Sequence, residues 1–248
     1  MLPVLVGVVI SCSVHPNPDS YTHLVRTPLL NLYYPDFDRI EMQFGEPPSR
    51  RDKSVIFCCM AAFTERRLLR FSHENIAGPY IDDGVLYPGS RNPHNSGYFA
   101  YYDNRWVFSR LSDEDALRES ARKGGMGFSQ ILIIPDAPNQ VEEEKIWETA
   151  RLKLYRNENG KVQFRRKRHR YRALCEKDGK LFVAELRDKN IYSFFVQALS
   201  EYGVDKAIYL DTGFGWGYSW YRDARNRAVT LHSYRHPYAK NWLVFKRL

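Results

Sequence analysis

The sequence predicts an α+β fold, a mixed and mainly antiparallel twisted sheet with a few packed helices, and three observations carry that reading. Short apolar or alternating runs recur along the chain, separated by turn residues. Only two stretches show a clear helical pattern with start and stop signals, Ser112 to Gly124 and Ile191 to Gly203. The last third reads as strand, turn, strand, helix, strand, a unit that buries one helix against a sheet.

Taken in order, residues 21 to 53 begin irregularly and then alternate through Ile40, Met42 and Phe44, closed by Gly45, Glu46, Pro47 and Pro48. Val55 to Phe63 is continuously apolar and predicts a central strand buried on both faces. Within it Cys58 and Cys59 point to opposite faces and lack metal-ligand spacing, so with Cys175 they read as buried thiols. Asp82, Asp83 and Gly84 form a turn before Val85, Leu86 and Tyr87. Tyr98 to Phe108 is a hairpin turning at Asp103 and Asn104.

Ser112 is placed to cap a helix, with Asp113, Glu114 and Asp115 at the positive end of its dipole and Gly124 at its close. Ile131 to Ile134 is a short buried strand stopped by Pro135, followed by a surface excursion with a helix expected around Glu142 to Arg151. Phe164 to Glu176 and Leu181 to Leu186 pair through Lys177, Asp178 and Gly179. The helix from Ile191 to Tyr202 ends at Gly203, and Ala207 to Leu210 form a buried strand that delivers Asp211 into a glycine-rich loop. That loop runs from Asp211 to Asp223, with Gly213, Gly215 and Gly217 alternating with Phe214, Trp216 and Tyr218. A less regular stretch leads to a final strand from Trp242 to Phe245.

Length bounds the organisation: 248 residues suffice for one sizeable core, and no internal repeat divides them. Residues 1 to 20 read as a lipoprotein-type signal and tether, residues 21 to 248 as one domain. The apolar run from Leu2 to Ile10 is too short to span a bilayer, and Ser11 precedes Cys12 as in a bacterial lipoprotein box, although no Lys or Arg precedes the run. Export to the periplasm or outer membrane, anchored through a lipidated Cys12, is therefore expected.

A net charge of +8 attracts anions without choosing among nucleic acid, phosphorylated sugar and anionic lipid. Export argues against nucleic acid, so none is expected as partner. The run Arg165, Arg166, Lys167, Arg168, His169, Arg170 fits either an anion patch or a solvated, basic edge strand. His232 and His236 are four apart without a helical pattern to hold them together, and neither a metal nor another cofactor is expected.

The run from Arg170 to Leu181, followed by the helix, the tip Tyr202-Gly203 and the strand ending at Asp211, resembles the phosphodiester glycosidase domain. That domain belongs to the enzyme that uncovers mannose 6-phosphate on lysosomal glycoproteins. Cys58 to Thr64 and Arg235 to Asn241 look like two further pieces of the family pattern, in the same order. The departures are Met60 in place of Asn, Ala61 and Ala62 in place of a Gly pair, and Thr212 in place of the first Gly after the aspartate. The chain reads as a divergent bacterial branch.

The resemblance implies a sheet in which three strand ends converge, bringing Thr64 and Glu65, Arg170 and Arg172, and Asp211 together. Asp211 is then the expected base or nucleophile, Glu65 an acid, and Arg170 the stabiliser of a departing phosphate. Arg172, two residues along the strand, is expected to form a fork with Arg170. Thr64, Thr212, Gly213, Ser219 and Asn241 are expected to contact substrate, and Trp216 or Trp220 to stack on a sugar ring. The expected ligand is a carbohydrate or sugar phosphate. Three functions remain open at this point: a cell-envelope glycosidase acting on a sugar-phosphate diester or other acidic glycan, a non-catalytic glycan-binding lipoprotein, and a basic nucleic-acid binder. Asp211 also has a purely structural reading, accepting backbone N–H bonds from its own turn.

Overall fold

The computed structural model describes residues 21–64, 72–92, 95–134, 168–212 and 217–248, and the backbone of 152–156 and 162–166. The apolar run before Cys12, Cys12 itself, Glu65, the helix expected around Glu142 to Arg151, Lys167, Gly213 and Trp216 lie outside the described residues.

Antiparallel sheets make up most of the fold. The first is six-stranded, in the order β1 (Thr22–Arg26), β2 (Leu30–Pro35), β14 (Lys180–Leu186), β13 (Arg172–Lys177), β15 (Lys206–Leu210), β10 (Leu132–Ile134). The second has five strands, β17 (Ala228–His232), β16 (Ser219–Arg222), β4 (Val55–Met60), β18 (Asn241–Lys246) and β3 (Arg39–Phe44). The third orders β6 (Val85–Tyr87), β5 (Tyr80–Asp82), β9 (Met126–Gln130), β7 (Gly97–Tyr102) and β8 (Arg105–Arg110). A separate ribbon pairs β11 (Leu152–Arg156) with β12 (Val162–Arg166). Among the described residues there are two α-helices, α1 (Asp115–Arg122) and α2 (Tyr192–Tyr202).

This is richer in sheet than the sequence suggested, and less mixed. Every strand pair among the described residues is antiparallel, and one isolated bridge, Ala77 to Ser90, is parallel. The excess comes from β5, β9 and β11 and from two hairpins that hydropathy hides. In the first, Thr27 Oγ1 accepts the Leu30 N–H at 2.8 Å and turns β1 into β2, where the sequence looks irregular. In the second, β16 contains Arg222, which is fully buried yet donates to the carbonyls of Val55, Arg50 and Asp52. A guanidinium satisfied by a cage of carbonyls is tolerated inside a strand, but no apolar pattern announces it.

The sequence-legible turns form as expected, although the strand expected from Phe164 to Glu176 divides into β12, which joins the ribbon, and β13, which pairs with β14. Asp103 and Asn104, like Asp178 and Gly179, have positive φ at both turn positions, the backbone that matches strand twist. Helix α1 starts later than expected: Glu114 stands at its N-cap without a side-chain bond, so Ser112 is not the cap. Helix α2 ends in a left-handed Gly203 with φ of 78°, and Val204 N–H reaches back to the Leu199 carbonyl at 3.1 Å.

Period-two alternation sorts the core into layers. On β13 and β15, Ala173, Cys175, Ala207 and Tyr209 face α2, with Phe195 and Leu199. Leu174, Ile208 and Leu210 face the opposite way, into a central core shared with Phe57, Cys59 and Leu243 of the second sheet and Phe99 and Phe128 of the third. Cys58 turns the other way from Cys59 and packs with Trp220 and Trp242, and all three described cysteines are buried and unbridged.

Candidate functional site

The three sheets meet at the carbonyl of Ala61, just past the end of β4. It accepts the N–H of Asp211 from the end of β15 at 3.0 Å and the side-chain amide of Gln130 from the end of β9 at 3.3 Å. Asn241, at the start of β18, braces the next residues: its Oδ1 accepts the Ala62 N–H at 2.8 Å, and its Nδ2 donates to the Ala62 carbonyl and to Thr64 Oγ1. Rigid strand ends thereby fix Asp211, Ala62 and Thr64 together. Asp211 is only 3% exposed, and beside it Thr212 Oγ1 and Tyr209 OH share a hydrogen bond of 2.9 Å.

A second cluster lies on the inner face of the first sheet. Arg172 pairs across from Glu185, is fully buried, and donates from Nε to Glu185 Oε2 at 2.9 Å and from Nη2 to the same oxygen. Its Nη2 also donates to Ser219 Oγ of the second sheet at 2.9 Å, while Nη1 has no hydrogen-bond partner among the described residues. Burial pushes the Glu185 carboxyl up, but Arg172, with His232, overrides that and holds it below its ordinary value. Both members of the pair are therefore charged. Burial also pushes the Cys59 thiol, next to the guanidinium, up to about 12, so it is an inert thiol. His232 Nε2 lies 3.2 Å from both Glu185 oxygens.

These two clusters hold the two ends of the glycine-rich loop. Asp211 anchors its start to Ala61, and at its end the Gly217 carbonyl accepts the Ser219 hydroxyl at 2.9 Å. Ser219 is thus the link between the buried ion pair and the loop.

The arrangement brings Asp211, Thr64, Thr212 and Asn241 together as the sequence suggests, but with a division of labour. Asn241 and Ser219 are fully buried and spend the polar groups named above inside the chain, so they stand beneath the site. The expected arginine fork does not form. Arg170 precedes β13 and is exposed, whereas Arg172, the first residue of the strand, turns into the core and is neutralised by Glu185. Trp220 is likewise unable to stack on a sugar, because it is fully buried behind the second sheet with Arg222 over its ring at 5.4 Å. Tyr218 is half-buried beside the same cluster. Gln130, Glu185 and His232 were not legible as site residues, since only pairing across sheets brings them to the loop. The basic run divides: Arg165 and Arg166 belong to the β11–β12 ribbon, and Arg168 is exposed.

A cleft of about 1350 Å³ bordered by described residues lies elsewhere, between β3 and the third sheet. Of the carboxylates that line it, Asp38 accepts the Leu248 N–H, Glu41 meets Arg39 and Lys246, and Asp103 meets Lys123, while Asp82 and Asp83 stand on the third sheet's side.

No known family profile matches the sequence, and no curated protein matches it. Among solved structures, the fold is similar to the catalytic domain of zebrafish N-acetylglucosamine-1-phosphodiester alpha-N-acetylglucosaminidase, solved auto-inhibited by its pro-peptide. That likeness covers 92% of this chain and 82% of the zebrafish domain, with a TM-score of 0.56 and 12% identity. At that identity it establishes the shared fold.

Proposed function

We propose that this protein is a glycosidase of the phosphodiester glycosidase type, cleaving a sugar from phosphate or from another acidic glycan. The observation that carries the reading is the junction at Ala61, where Asp211, Thr64 and Thr212 are brought to the mouth of a glycine-rich loop by three strand ends. The fold likeness to an enzyme whose name describes that chemistry supports it. In this reading Asp211 takes the proton of an attacking water, and backbone at the loop approaches the sugar. Arg170, exposed at the entry to β13, remains available to an incoming anion. The cell-envelope setting expected from Cys12 belongs to the same proposal.

The test is release of free sugar from a glycosyl phosphodiester, such as a sugar joined through phosphate to methanol. Wild-type protein is expected to turn it over, and Asp211→Asn to lose roughly a hundredfold or more in kcat/KM. Unchanged turnover in that variant would remove Asp211 from the chemistry. The same activity is expected in the membrane fraction, and Cys12→Ser is expected to move it to the soluble one.

A second reading, a glycan-binding protein with a degenerate site, is favoured by one observation: the Arg172 guanidinium is consumed by Glu185 and cannot clamp a ligand. It expects sugar-phosphate binding by the wild type without turnover.

A further inference from the structure

Resting on that reading of the site, we propose that His232 is its proton-carrying residue, touching the leaving phosphate through Nδ1 and oriented by the buried Glu185. The sequence shows His232 only as one of two unremarkable histidines near the chain end. Tertiary structure places it at the last residue of β17, an edge strand, with its side chain 29% exposed.

The tautomer follows from what Nε2 meets. It lies 3.2 Å from both oxygens of an ionised carboxylate, which can only accept, so Nε2 carries a hydrogen and donates. Nδ1 is left as the position that gains and loses a proton. A Cβ built at Gly217 would lie 3.4 Å from the ring Cγ and 3.6 Å from Nδ1, so this edge of the imidazole runs along the last residue of the glycine-rich loop. Glycine there adds no side chain of its own against the ring edge.

The ring meets Glu185 from β14, and the ion pair behind it comprises Arg172 from β13, with Cys59 from β4 and Tyr33 from β2 feeling its charges. Arg172 is paired to Glu185, and the carboxylate in turn orients the ring. His232 also supplies what the sequestered Arg172 does not, a partly exposed side chain beside Gly217.

The step balances as follows. The oxygen of water bonds to the anomeric carbon as Asp211 takes one of its protons. The bond from that carbon to the phosphoryl oxygen breaks, and its electron pair stays on the oxygen. That oxygen receives the Nδ1 proton of His232, giving free sugar and a phosphate monoester, and solvent returns the proton from Asp211 to His232. In this step His232 is the general acid.

The variant of choice is His232→Gln, whose side-chain amide can still donate to Glu185. It is expected to lose roughly a hundredfold or more in kcat/KM and to lose the alkaline limb of the pH profile. Independently of turnover, nitrogen NMR of the wild type is expected to show the Nε2–H tautomer and a response of His232 Nδ1 to inorganic phosphate. An Nδ1–H tautomer, no response to phosphate, or an unchanged rate and alkaline limb in the variant would each overturn the assignment. Absence of wild-type turnover would instead sink the proposed reaction, leaving the phosphate titration to decide whether His232 contacts the anion.

Discussion

The ion pair of Arg172 and Glu185 shows how one residue can be read correctly as important and wrongly as available. An arginine at the entry to a strand looks like a ligand clamp when its neighbours are unknown. Once Glu185 stands opposite it in register and Ser219 reaches from the facing sheet, its charge is spent inside the fold. Removing one partner of such a pair leaves the other charge buried and uncompensated. Glu185→Ala is expected to destabilise the protein by about 3–5 kcal/mol in urea unfolding. The pH dependence follows from the sign of the shift. Glu185 is held below its ordinary value in the folded state, so its contribution is complete above the unfolded carboxylate range, about pH 4, and fades as pH falls through the folded value. Acid unfolding monitored by circular dichroism checks it: the wild type should lose stability there more steeply than Glu185→Ala.

At the scale of elements, local chemistry decided most of what was legible. The Asp103-Asn104 and Asp178-Gly179 turns, the run of β4 and the end of α2 follow from residues a few positions apart, and each forms as expected. Gly203 is the sharpest case, because φ of 78° is a conformation that a Cβ disfavours. Its own Cβ position meets the Lys177 ammonium at 2.7 Å, a flexible end that can move aside, so the backbone cost dominates. Gly203→Ala is expected to lower stability by about 1 kcal/mol, read from the urea midpoint. Among the elements that escaped are β1, β2, β5, β9, β11, β16 and β17, and β16 shows most clearly a polar content satisfied by distant partners. Arg222 needs the carbonyls of Arg50, Asp52 and Val55, more than 160 residues away, and a window of hydropathy contains none of them.

For the whole molecule, three sheets contribute to one central core among the described residues. Polar links run between the sheets as well. Thr22 Oγ1 donates to the Ile56 carbonyl at 3.0 Å, and Trp106 Nε1 to Glu176 at 3.0 Å. Leu174, fully buried where the sheets meet, tests this unity. Leu174→Ala is expected to cost about 3 kcal/mol and to shift tryptophan fluorescence and far-ultraviolet dichroism together in a single transition. Separate transitions would divide the chain into independent parts.

By itself the sequence determined a mainly antiparallel sheet, the tight turns, the helix that backs the first sheet and the position of Asp211 at the end of a buried strand. All of these are set by periodicity and by residues close in the chain, which act before any distant contact is made. Only the tertiary structure decided that Ala61 is the meeting point of three sheets, that Arg172 is a strut and not a clamp, and that Glu185 and His232 stand at the end of the loop. The reason is that burial and ion pairing belong to pairs of residues, and the pairs that matter here are joined by antiparallel registers across 13 to 179 residues of chain.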